Sequence, residues 1–168
     1  IQIQHAGGGA TIGGTTPAER NVISGNTANG ISAQGSNVSN VTIAGNFIGT
    51  DATGTVDLGN AGAGININNS PNNTIGGITA SSRNIISGND FVGVSIFGPS
   101  SVGNTISGNF IGTNAAGNAA IANASGVQIA AGATSNLIGG EENIISGNTG
   151  FGVRIADVGT DNNQVAGN

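Results

Sequence analysis

The chain has 168 residues, 32 of them glycine and 25 asparagine, and it contains no Trp, Tyr, Met, Cys or Lys. This composition excludes a core of large side chains, the lack of cysteine excludes disulfides and thiolate metal sites, and a hydrophobic fraction of 36%, rich in regularly recurring Ile and Val, excludes disorder. A net charge of −5, with Arg20, Arg83 and Arg154 as the only Lys/Arg positions, offers no footprint for nucleic acid or anionic lipid.

No apolar run reaches the roughly 18 residues of a membrane-crossing helix. No basic-then-apolar leader opens the chain either, so a signal sequence would lie upstream or have been removed.

The first pattern is Ile1-Gln-Ile3, a strand signature with aliphatic residues on one face and a polar residue on the other. It returns at Ile31, Ile65, Val94, Val127 and Val153, with second aliphatic positions at Ala33, Ile67, Ile96, Ile129 and Ile155. The positions between them, Gln2, Ser32, Asn66, Ser95, Gln128 and Arg154, are all polar and form the expected outer column.

A second strand is expected around Ile12, with equivalents at Ile43, Ile75, Ile106, Ile138 and Val165. A threonine column flanks it at Thr11, Thr42, Thr74 and Thr105, interrupted by Leu137 and Gln164. Beside small residues it would form a flat plane for side-by-side packing, or weakly an ice-binding one. A third element is suggested by Val22-Ile23, Ile85-Ile86 and Ile144-Ile145; Phe47-Ile48 and Phe110-Ile111 are candidate counterparts, with the register left open.

The elements recur in a long unit. Ile-Gly-Gly begins at Ile12, Ile75 and Ile138, an interval of 63 both times, and Asn46-Phe-Ile-Gly-Thr50 returns as Asn109-Phe-Ile-Gly-Thr113. Arg20-Asn-Val-Ile-Ser-Gly-Asn26 returns as Arg83 to Asn89, and a third copy, Glu142 to Asn148, arrives four residues early. Two unequal coils therefore make one repeat. Gly-Asn and Asn-Asn pairs supply the corners, where unusual backbone angles are needed. A hairpin meander would not return equivalent residues in the same order after each coil, whereas parallel stacking does.

The repeated Gly-Ile-x-Ile, Asn-x-Thr-Ile-x-Gly-Asn and Asn-x-Ile-Ser-Gly-Asn motifs resemble the right-handed parallel β-helix repeats of large bacterial secreted and surface proteins, over essentially the whole chain. The resemblance implies an all-β right-handed parallel β-helix, a solenoid of about five to six coils with a 63-residue double-coil repeat, in an extracellular, carbohydrate-adjacent setting. The broader fold group includes polysaccharide lyases and glycoside hydrolases, so fold leaves activity undecided.

Each chemically suggestive segment has a structural alternative. Thr50 to Asp57 is oxygen-rich enough to suggest calcium, but its counterpart, Thr113 to Ala120, replaces Asp51 by Asn114 and Asp57 by Ala120, which favours a plain turn. Arg154, Asp157 and Asp161 form the best acid–base cluster and are equally explained as solvated surface. Arg20 and Arg83 are expected to bond corner carbonyls, since Glu142 stands in the third copy. His5, the only histidine, aligns with Asn69 and reads as an exposed corner.

Phe47 with Phe110, and Phe91 with Phe151, match across repeats and are expected to stack in the core; Phe97 has no counterpart. Asn26, Asn46, Asn89, Asn109, Asn148 and Asn168, each after Ser-Gly or Ala-Gly, are expected to align at one corner as an amide ladder. Asn37-Val-Ser39, Asn40-Val-Thr42 and Asn123-Ala-Ser125 match the glycosylation pattern but are expected by chance in so Asn-rich a chain.

Residues 1–168 are expected to form a single domain, a segment of a longer repeat array or a stacking protomer, with strand edges uncapped at both ends. The expected function is an extracellular or cell-surface structural or adhesive scaffold, with end-to-end assembly into a fibre as one form of it, and with no catalytic, cofactor or metal residues assigned. Expected partners are copies of itself or neighbouring repeats, with surface glycans as a further candidate, and without nucleic acid or membrane insertion. The alternatives are a fragment of a carbohydrate-active enzyme and a carbohydrate-binding module.

Overall fold

The computed structural model describes residues 1–4 and 7–168; the expectation for His5 falls outside the described residues. The chain winds as a parallel β-solenoid with three sheets running along its length. Sheet 1 contains Gln2–Gln4, Ile31–Gln34, Ile65–Asn68, Val92–Phe97, Ser125–Ala130 and Val153–Ile155. Sheet 2 contains Thr11–Gly13, Thr42–Ala44, Thr74–Gly76, Thr105–Ser107, Leu137–Gly139 and Gln164–Ala166. Sheet 3 contains Val22–Ile23, Phe47–Ile48, Ile85–Ile86, Phe110–Ile111 and Ile144–Ile145.

The registers follow the aliphatic columns. Ile31 pairs with Ile65, Ile65 with Val94, Val94 with Val127 and Val127 with Val153. In sheet 2, Ile12, Ile43, Ile75, Ile106, Ile138 and Val165 form one unbroken column. A one-residue slip would turn every one of these side chains outward, so burial fixes the register. The resulting core is thin and mostly isoleucine, with some valine and alanine, and Ile43, Ile65, Ile75, Ile96, Ile106 and Ile129 are fully buried.

The register left open by the sequence is resolved in sheet 3. Val22, Phe47, Ile85, Phe110 and Ile144 make one column, and Ile23, Ile48, Ile86, Ile111 and Ile145 the other. The spacing varies because a 3-10 turn, Pro17–Glu19 or Ala80–Ser82, is inserted between sheets 2 and 3 in alternate coils. The fifth coil has no such turn, which accounts for its motif arriving four residues early.

Two glycine columns make this winding possible. At Gly76, φ is +86° and an added Cβ would collide with the Ser107 carbonyl of the next coil. The glycine before each sheet 1 strand is needed for space instead: a Cβ at Gly93 would stand 2.8 Å from both the Gly126 carbonyl and the Ile111 side chain.

Candidate functional site

The asparagines divide into two populations. At the corners they form three ladders rather than the single expected one. Asn21, Asn46, Asn84, Asn109, Asn143 and Asn168 run between sheets 2 and 3, each Nδ2 donating to the Oδ1 of the next coil at 2.7–3.2 Å. Asn26, Asn60, Asn89, Asn123 and Asn148 run between sheets 3 and 1, and Asn73, Asn104, Asn136 and Asn163 run between sheets 1 and 2.

The expected set mixed two ladders, because Ser-Gly-Asn follows sheet 3 in one coil and Ser/Ala-Gly-Asn follows sheet 2 in the next. Each ladder amide is almost fully used. The Oδ1 of Asn84 accepts from the N–H and Nδ2 of Asn46, while its own Nδ2 donates to the Ile43 carbonyl at 2.8 Å and to Asn109 at 2.9 Å. Among the described residues, Thr113 Oγ1 is the only buried side-chain polar atom without a partner.

The phenylalanines also divide. Phe47 and Phe110 pack with Ile85 in a small apolar cluster on the outer side of sheet 3, joined by Ala115 and Ile144. Arg20 and Arg83 roof these rings, with guanidinium carbons 4.3 and 4.0 Å from the ring centroids, and each Nε donates at 3.2 Å to the carbonyl of Gly45 or Gly108. The arginines therefore bond corner carbonyls as expected, and they also cap the aromatic stack.

The suspected calcium loop lies over the same stack. Thr50 and Asp57 form an antiparallel bridge, as do Thr113 and Ala120, and Gly54 approaches Phe47 so closely that a Cβ would stand 3.2 Å from its ring. The carboxylate of Asp51 closes the turn, accepting from the Thr53 hydroxyl and from the N–H groups of Thr55 and Val56. These donors hold its pKa down to about 2, the Thr53 hydroxyl contributing most. Asn114 accepts from the Asn118 and Ala119 N–H groups in the equivalent turn, so the carboxylate is replaceable there.

The suspected acid–base residues have local contacts. Asp157, at φ +76°, accepts from the Ala131 N–H at 3.1 Å, and the Arg154 guanidinium lies 5.8 Å from the Phe151 centroid. Asp161 accepts the Ser135 N–H through its backbone carbonyl. Among the described residues, no three His, Cys, Asp or Glu side chains group as a metal site, and no helix is long and apolar enough to cross a membrane.

Phe91 and Phe151 depart from expectation. They are exposed by 56% and 61%, not stacked in the core, and Phe97 is exposed by 44%. Phe97 follows the buried Ile96 and is turned outward by the strand's alternation, whereas Phe91 and Phe151 stand just before the starts of their sheet 1 strands. Phe91 and Phe97 line a cleft of about 260 Å³ on the outer face of sheet 1 with Asn66, Asn68, Ser95 and Gln128. Repeat matching alone did not separate these rings from Phe47 and Phe110; adjacency to an outer polar column would have.

No family model, curated protein or solved structure matches the chain.

Proposed function

We infer that this chain is an extracellular structural or adhesive scaffold of the kind found in bacterial secreted and surface repeat proteins, which its motifs resemble. The observation that carries this reading is the direction of the amide-to-amide bonds: in each ladder the Nδ2 of one asparagine donates to the Oδ1 of its counterpart in the next coil, so each coil presents to its successor the same contact it received. Such nearest-neighbour stacking extends by addition of like coils, whether from the same chain or from another copy, and it favours a rigid spacer.

Electron microscopy of the purified chain over a concentration series tests the self-stacking form of this function. Filaments one solenoid wide, lengthening with concentration, are expected. Dispersed particles of constant length at every concentration would remove end-to-end assembly from the proposal.

A further inference from the structure

The outer face of sheet 1 is built differently from the rest of the surface. Its central column is Ser32, Asn66, Ser95 and Gln128 in register, and the neighbouring column is Gln34, Asn68, Phe97 and Ala130. Phe91 stands before the strand that ends in Phe97, so two exposed rings flank a row of amides and a hydroxyl.

These polar groups are largely unspent. Asn66 makes one 3.3 Å contact from Nδ2 to the Ser32 hydroxyl, and Asn68 Oδ1 accepts one bond from Asn69. Among the described residues, the side chains of Ser95 and Gln128 make no hydrogen bond within the chain. The corner asparagines, in contrast, spend both amide hydrogens and the oxygen on neighbouring coils.

We propose that this cleft binds a neutral oligosaccharide. Amides and hydroxyls both donate and accept, which matches the hydroxyl groups of a sugar, and an exposed ring covers the apolar face of a pyranose. The lining carries no charge. Arg154, the next member of the central column, lies toward the Phe151 ring rather than being one of the cleft residues. The two rings supply the apolar part of the lining and the amides and hydroxyl the polar part, the pairing that a sugar ring presents, whereas nucleic acid would need a basic surface that the cleft lacks. The proposal goes beyond the scaffold reading and does not depend on it.

The test is a titration of the isotopically labelled chain with cellohexaose, xylohexaose and mannohexaose, with a galacturonate hexamer as the acidic comparison, followed by NMR. At least one neutral hexamer should shift the side-chain amides of Asn66, Asn68 and Gln128 and the rings of Phe91 and Phe97. Phe91→Ala and Phe97→Ala should each weaken that binding by about tenfold while leaving thermal unfolding unchanged, since both rings are exposed. The proposal is overturned if no neutral hexamer shifts these residues at millimolar concentration, if the shifts lie elsewhere, if the alanine variants bind as well as the parent, or if only the galacturonate binds.

Discussion

The corners and the outer face of sheet 1 use the same amide side chain for opposite ends. Asn84 at a corner is fully buried and bonds to the coils on both sides, whereas Asn66 on the face is half-buried and has a single weak contact. In a solenoid, position within the coil decides what a residue does, because stacking repeats each environment from coil to coil. An amide at a corner is surrounded by backbone groups that need partners, and one on the sheet face looks into solvent.

The sharpest way to break the comparison is to truncate one amide of each kind. Asn84→Ala leaves the buried Asn46 N–H without its acceptor and removes the bonds to Asn46 Nδ2, the Ile43 carbonyl and Asn109 Oδ1, and should cost about 3–5 kcal/mol in urea unfolding. Asn66→Ala should stay within about 0.5 kcal/mol of the parent. Equal losses at the two sites would dissolve the distinction.

Packing on the inner side gives the next effect. Gly93→Ala forces a methyl against the Gly126 carbonyl and Ile111 and should destabilise by about 1–3 kcal/mol by the same measurement, although φ there is not left-handed. The Arg83→Ala variant uncovers the Phe110 ring and frees the Gly108 carbonyl, with an expected loss of about 0.5–2 kcal/mol.

The smallest expected effect is electrostatic. The pKa of Asp51 is depressed in the fold, so its contribution is present above the unfolded carboxylate value and disappears as pH falls through about 2. Unfolding midpoints of the parent and of Asp51→Asn, recorded from pH 5 to pH 2, should therefore converge as the solution becomes acidic. A difference that grows toward pH 2 would contradict the turn-closing role.

Most of the fold was legible because two alternations coincide: the period of two within each strand and the return of the same triplet in each coil. The Ile12 to Val165 column could be written down residue by residue and is found in that register. Sheet 3 was harder, since strands of two residues carry no alternation of their own and the 3-10 turn at Ala80–Ser82 changes the spacing before them.

The ladders were seen only in part. Asn60 and Asn123 follow loop insertions rather than Ser-Gly, so the local motif that marks Asn89 is missing there. The cleft was not legible as a site, because Phe97 has no repeat partner and Phe91 looks in sequence like another stacked ring.

Side-chain amide hydrogen exchange, followed by NMR on the uniformly labelled chain, tests the division between corner and face most directly. The buried ladder amides of Asn46, Asn84, Asn89, Asn109 and Asn123 should exchange orders of magnitude more slowly than those of Asn66, Asn68 and Gln128. Similar exchange rates in the two groups would mean that the ladders do not hold the coils together.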